Sequence, residues 1–384
     1  MAIDWLAEAA AIEEELKAVR AEIHRDPELA NNEFRTAERI ENYLHTCGIE
    51  TQRVLDTAVV GRLKGDAPGR TVCLRADMDA LPVTEDTGAE FSSCNPGIMH
   101  ACGHDVHMTA ALGAAKLLSD HREELKGEVR FLFEPAEEAN GGAMRMIAAG
   151  CLEGADAVFG AHVDPDLPAG TVGVRYGKFY AASDMYFIEV IGKTVHGATP
   201  EIGIDALQAA AEIAIRLKDI PEEFTDKCVV TTGTLNAGTK ENTVAGRAEM
   251  TGIMRTLGAE MREAVKARLL EICRDVEEKT GAKVMVRIQD SYGGVVNTDE
   301  ETAVAERAAI KLLGSDKVVR IEKPRMTSED FGYFVDATSG SFYHIGAGCT
   351  ESLHSPKFLP DERVLAVGAA THAAVLTTYL EENH

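Results

Sequence analysis

The chain is expected to be an α/β protein: a mixed, mostly parallel sheet with flanking helices, plus a ferredoxin-like α+β unit inserted into it. Three observations lead there. Apolar strand-like runs alternate with helical patterns up to about Tyr180, as a parallel sheet requires. The order then changes to βαββαβ over about 110 residues, the pattern of a small split-βαβ unit. After Tyr292 the alternation resumes. A length of 384 residues accommodates two domains, expected at 1–179 with 292–384 and at 180–291.

Trp5, Leu6, Ala9, Ile12, Leu16, Val19 and Ile23 recur at helical spacing and predict one helix ended by Pro27. A second helix is expected from about Glu33 to Cys47. TAVVGRLKG and RTVCLRADMDALP read as strands, the latter buried and closing in a turn at Pro82. HMTAALGAAKLLSDHREELKG is rich in small residues and predicts a tightly packed helix. EVRFLFEPAEE is an apolar strand running into acids, GGAMRMIAAGCLEG a helix, and ADAVFGAHV a strand. In the inserted unit SDMYFIEVIG, CVVTTGTLNAG, AGRAEMTGIMRT and AKVMVRIQ are strands. DALQAAAEIAIRLKDI and AEMREAVKARLLEICRDVEEKTG are its helices. Helix TAVAERAAIKLLG, strand SFYHIGAG and a last helix to Tyr379 follow.

Asp and Glu number 63 against 39 Lys and Arg, a formal net charge of -24. Such a surface repels phosphate backbones and anionic bilayers, so neither nucleic acid nor membrane is an expected partner. The first twenty residues mix acids with apolar side chains, unlike a signal peptide, and no run of about 18 apolar residues marks a span. Eight cysteines form no CxxC pair and no compact framework, the usage of reduced thiols in the cytoplasm.

MHACGHDVHM packs His100, Cys102, His104 and His107 into eight positions, in a chain with 12 histidines. Other polar stretches follow apolar strands or lie in loops: DMD at 77–79, EPAEE at 134–138, AHVD at 161–164 and LHSPK at 353–357. Open α/β sheets bind ligands beyond the carboxyl ends of their strands. These stretches bring thiolate, imidazole and carboxylate from distant parts of the chain, as a metal site requires. Cys102 and His104 diverge by about 200° on a helix, so a loop entering the next helix is expected. A thiolate can bridge two ions and favours a late first-row metal. Singly, Cys102 reads as an inert buried thiol, Glu137-Glu138 as a solvated acid pair, and His162 or His354 as structural. Together they allow one carboxylate to hold a cation and the other to take a proton from water. His100 and His107 are expected to pack or support. His24, His45, His121, His344, His372 and His384 carry no role beyond structure.

RADMDALP, MHACGHDVHM, FEPAEE, GAHV, GKTVHGATP, ENTVAG, MTSEDFGYF and LHSPKF resemble peptidase family M20, the aminoacylase-type metallopeptidases. The closer resemblance is to its amidohydrolase branch, subfamily D, which acts on N-acyl amino acids. It runs from His24-Arg25-Asp26-Pro27-Glu28-Leu29 to the last helix. The resemblance implies a two-metal catalytic domain interrupted by a lid that also makes a homodimer or higher oligomer. It implies Cys102, His104, Glu138, His162 and His354 as metal ligands, with Cys102 bridging, and Glu137 as general base. His196 matches an oxyanion-stabilising residue, and Asn242 and Arg255 match substrate-binding lid residues. The family's HxD motif is Asp77-Met78-Asp79 here, and Asp79 is expected to orient a ligand imidazole. Cys102 replaces a bridging aspartate, and Ala245 a proline. Glu329 and Asp330 are expected to support the site or cap a helix.

The reaction so implied is hydrolysis of an N-acetyl, N-benzoyl or longer N-acyl amino acid with two divalent ions, zinc first and manganese, cobalt or nickel as alternatives. Three rivals share these residues: a dipeptidase or carboxypeptidase of the same family, a Cys102 nucleophile with His104 as base, and an inactive amino-acid-binding relative.

Overall fold

Asp4 starts the first helix by accepting the Ala7 N–H at 3.1 Å. The expected single helix is two, Trp5–Ala11 and Glu13–Arg25, because Ile12 leaves helical geometry at φ -105° and ψ 9°. In this computed structural model residues 3–139 and 141–382 are described; the outermost residues of the expected catalytic segment and His384 lie outside them. The chain divides into two compact units. One comprises Met1–Gly177, Asn297–Lys323 and Asp330–His384, the other Lys178–Val296 and Pro324–Glu329.

In chain order the strands are β1 (Glu50–Val54), β2 (Ala58–Lys64), β3 (Ala67–Asp77), β4 (Lys126–Glu134), β5 (Ala157–Asp164), β6 (Val172–Val174) and β7 (Gly177–Tyr180). They continue as β8 (Ala182–Ile191), β9 (Val229–Ala237), β10 (Arg247–Thr256), β11 (Lys283–Asp290), β12 (Val295–Asn297), β13 (Val318–Arg320) and β14 (Ser339–Gly346). The first unit's sheet runs β1-β2-β4-β3-β5-β14-β6-β13. Its centre, β4-β3-β5-β14, is parallel. The β1-β2, β2-β4 and β14-β6 pairs are antiparallel. The sheet is thus mixed with a largely parallel centre, as expected. Strand β3 stops at Asp77, five residues before Pro82, and helix Ala143–Ala148 is shorter than its motif.

Buried Val72, Leu74, Phe131, Phe133, Phe159 and Tyr343 fill the sheet; each such side chain contributes roughly 1.5–3 kcal/mol. Helix His104–Asp120 is buried along nearly its whole length, which explains its lack of a polar stripe. Glycines let it approach the last helix, Arg363–Glu382. A Cβ on Gly113 would lie 2.7 Å from the Ala369 Cβ, and one on Gly368 2.9 Å from the Ala110 Cβ. That last helix is long and apolar enough by composition to cross a bilayer, but most of it is buried, as befits a core helix.

The second unit has a four-stranded antiparallel sheet, β11-β8-β10-β9. Helices Ala206–Asp219 and Ala259–Thr280 pack on it through Ala209, Ala210, Ile213, Leu217, Val265, Leu269 and Ile272. With β8 as first strand the order is 4-1-3-2, which is the ferredoxin-like arrangement.

Candidate metal centre

Parallel pairing decides what meets at one sheet edge. Asp77 at the end of β3 lies opposite Glu134 at the end of β4. His162, near the end of β5, lies opposite His344 of β14. The carboxyl ends therefore present 77–79, 134–138 and 162–164 together. Gly103, left-handed at φ 87°, turns the chain from Cys102 into the helix that His104 begins. A Cβ there would lie 2.5 Å from Val163 Cγ2, so the close approach demands glycine. His354 arrives on a loop whose N–H bonds the Ala101 carbonyl at 2.8 Å.

Two ligand triads result, and one sulfur belongs to both. Cys102, His104 and His162 form one; Cys102, Glu138 and His354 form the other. Within each, ligand atoms lie within 4.8 Å of one another. Cys102 Sγ is 3.3 Å from His162 Nε2. His162 donates Nδ1–H to the Val163 carbonyl and His104 donates Nδ1–H to the Asp79 carbonyl, each at 2.8 Å. A carbonyl can only accept, so Nδ1 carries a proton in each ring and Nε2 is the nitrogen that remains to ligate a cation.

His104 Nε2 and Glu138 Oε1 are buried without a hydrogen-bond partner. Glu138 Oε1 lies 3.1 Å from His354 Nε2, close enough for attraction but not aligned as a hydrogen bond. Unsatisfied buried groups are costly, and a divalent cation would satisfy these. The local field agrees. Burial opposes charge on His104, but Asp77, Asp79 and Glu138 outweigh it and raise its pKa to about 10. Burial, then Glu138 and Glu137, push the Cys102 thiol well up. Burial opposes charge on Glu138 too, yet His354 and His104 pull it down to about 2. A site that draws in protons this strongly also draws in metal cations. Donor set, orphaned atoms and field all fit two ions.

Glu137 is buried, and its carboxylate lies within 4.8 Å of ligand atoms of His104 and Glu138. Asp79 accepts the Glu137 and Glu138 N–H groups, each at 3.0 Å. With its own carbonyl accepting from His104, Asp79 therefore braces both the 137–138 loop and the start of the helix that His104 begins. Ala136 and His354 both hold left-handed φ values, 61° and 66°. Such strain concentrates at functional sites.

Asp77 is not free to ligate. Its Oδ1 accepts from His107 Nδ1 at 2.7 Å and its Oδ2 from Arg75 at 2.7 Å. His107 Nε2 in turn accepts the Val163 N–H at 2.9 Å, so His107 ties Asp77 to the strand carrying His162. Arg75, fully buried, also donates to Glu134 at 2.6 Å and Asp330 at 2.9 Å. Asp330 makes no side-chain cap for helix Phe331–Ala337; it takes the Arg75 and Ala143 N–H groups instead. Arg75 and Glu134 stand at the edges of RADMDALP and EPAEE without having been assigned a role, and Glu33 lies in neither motif. An arginine inside the apolar run VCLRAD was the one readable signal.

In the second unit His196 is exposed and its Nδ1 accepts the Ala198 N–H at 3.0 Å. Asn242 is beside it in the backbone: His196 bridges Thr243, and the Gly197 N–H reaches the Asn242 carbonyl at 2.8 Å. Arg255 is partly buried on β10, paired with Ser183 and Val229 rather than with these two. Its Nη1 is buried without a hydrogen-bond partner. Burial lowers its pKa, with Tyr292 acting the other way.

Known proteins resemble the chain throughout. A family model, peptidase family M20/M25/M40, matches residues 73–378. Thermostable carboxypeptidase 1 of Saccharolobus solfataricus is 37% identical over 381 residues, covering 96% of each chain. The N-acyl-L-amino acid amidohydrolase of Geobacillus stearothermophilus is 41% identical over 288 residues, 74% of this chain and 78% of that one. The crystal structure of the Bacillus subtilis YXEP protein, a dinuclear metal-binding M20 peptidase, matches with a TM-score of 0.89 at 35% identity. It covers 97% of this chain and 99% of its own.

Proposed function

The chain belongs to peptidase family M20/M25/M40, and from that membership we propose that it is a metal-dependent amidohydrolase cleaving N-acyl amino acids to a carboxylate and a free amino acid. One observation carries the reading: the Cys102 sulfur stands in both ligand triads, with buried Glu137 beside them. Cys102, His104, Glu138, His162 and His354 would hold two divalent cations, Cys102 being the residue common to both triads.

Such ions supply Lewis-acid polarisation of an amide carbonyl and lower the pKa of water. Glu137 takes the proton of the attacking water and returns it to the departing nitrogen. His196 stabilises the developing oxyanion. Asn242 and Arg255 hold the substrate's α-carboxylate, the guanidinium by its planar fork. Asp79 keeps the His104 ring and the 137–138 peptide in register. Thiolate and imidazole favour zinc, with manganese, cobalt or nickel as competitors. The second unit serves as lid and dimerisation domain, making a homodimer or higher oligomer. Eight free cysteines support a reducing, cytoplasmic setting.

The test is a screen of N-acetyl, N-benzoyl and longer N-acyl amino acids with each metal supplied, run beside Glu137→Gln. That variant is expected to keep both ions and lose about 10²–10⁴-fold in kcat; normal turnover in it refutes the assignment. Activity surviving chelation would instead favour a Cys102 nucleophile. Failure on every substrate with metals loaded would favour a binding protein. The likeness to a carboxypeptidase supports a second reading, cleavage of peptides before a free C-terminal residue. Faster turnover of N-blocked dipeptides than of N-acyl amino acids would select it.

A further inference from the structure

We infer that Glu33, which stands in no chemical motif, is a positioning residue that holds Glu137 in place through the backbone of Ala136. The inference rests on the reading of Glu137 as general base. Glu33 is fully buried, which is rare for a carboxylate without a partner. It precedes helix Phe34–Thr46 yet makes no side-chain cap for it. Its Oε1 instead accepts the N–H groups of Asn31 and Ala136, each at 2.9 Å, and its Oε2 accepts the Thr57 hydroxyl at 3.1 Å.

Both residues whose amides Glu33 takes are left-handed: Asn31 at φ 64° and Ala136 at φ 61°. Asparagine tolerates that region; alanine seldom enters it. The next two amides, of Glu137 and Glu138, go to the two oxygens of Asp79. Three consecutive N–H groups are thus turned onto two buried carboxylates. The Ala136 carbonyl is held by the Gly141 N–H at 3.0 Å, while its N–H depends on Glu33. Remove that acceptor and Ala136 relaxes toward right-handed backbone, rotating the peptide that leads into Glu137. A displacement on the order of 1 Å at a catalytic group can cost about 100-fold in rate.

The zinc-loaded full chain is assayed on N-acetyl-L-methionine as wild type, Glu33→Ala, Glu33→Gln and Glu33→Ala combined with Ala136→Gly. Glu33→Ala should lose about 100-fold in kcat, with KM nearly unchanged, both ions bound at saturation and faster hydrogen exchange at the Ala136 amide. Glu33→Gln keeps an oxygen for that amide and should retain most of kcat. Ala136→Gly should restore about tenfold to Glu33→Ala, because glycine adopts the left-handed region freely. Wild-type kcat in Glu33→Ala overturns the inference. So does a loss that follows bound metal or unfolded fraction and is not relieved by Ala136→Gly. Should Glu33→Ala not fold, Glu33→Asp, one methylene too short, is held to the same outcomes. If the wild type cleaves nothing, amide exchange decides alone: unchanged exchange at Ala136 overturns the inference. An active Glu137→Gln sinks the base assignment; an inactive one beside a fully active Glu33→Ala sinks only the positioning role.

Discussion

Replacing Asp79 by asparagine should loosen the centre without emptying the fold. Its two carboxylate oxygens each accept one peptide N–H at 3.0 Å, from Glu137 and from Glu138. Asparagine keeps one acceptor and turns an NH2 group against the other N–H. A hydrogen bond to a charged group contributes about 1.5–3 kcal/mol, and an orphaned buried donor costs about 1–3 kcal/mol. The backbone carbonyl of Asp79 still accepts from His104, so that ligand should stay oriented. The deficit therefore falls on the 137–138 peptide. At 1.4 kcal/mol per decade, a loss of about 1.5–3 kcal/mol is about 10–100-fold, the usual effect of removing a residue that orients a ligand. Metal affinity is read by titration against a chromophoric chelator, and kcat at saturating metal reports Glu137 separately. One ion should bind about 10–100-fold more weakly while the other is little changed. Wild-type affinity for both ions together with wild-type kcat would refute the bracing role.

Other expectations follow from the same geometry. Arg75→Met leaves the buried carboxylates of Asp77, Glu134 and Asp330 without their shared cation. It should destabilise by about 3–5 kcal/mol, with recovery as acid protonates them; a Tm matching wild type at pH 7 contradicts this. His24 contributes a pH dependence. Burial opposes its charge, but Asp105 and Glu85 raise its pKa to about 9. A pKa raised on folding gives stability that is complete below the unfolded value of about 6.5 and lost as pH climbs toward 9. The metal-free Tm should therefore fall across that window, and His24→Gln should flatten the fall. An identical slope in the variant would show that other groups cause it. Glu85 acts on the acid side. Burial opposes its charge, His24 and the Ser93 N–H hold it at about 2, and its contribution is lost as pH drops from about 4.5 toward that value.

The Arg75 network also explains how so many acids occupy one edge. Burying an arginine with three carboxylates is expensive in isolation. Here Asp77 is further hydrogen-bonded by a neutral His107, which spends its second nitrogen on the Val163 N–H. The acids left facing the two triads then form a field that favours cations. Stability and cation affinity therefore draw on one set of contacts, so variants of this network need metal binding and Tm measured together.

What was legible in the chain was local or compositional. Short apolar runs located β2 through β5, which are buried on both faces, and strand and helix patterns located the βαββαβ order of the second unit. Cys102 and His104 stood out because thiol and imidazole are rarely clustered so closely, and Glu137 and Glu138 because an apolar strand runs directly into them. Short strands such as β6 and β13, three residues each, carry too few residues for a period to show. Only the tertiary structure revealed that Asp77 is consumed by Arg75 and His107, that Ala136 is left-handed, and that Glu33 reaches across 103 positions to hold it. A buried charge is satisfied by whatever the fold brings near, and no periodicity along the chain encodes that partner.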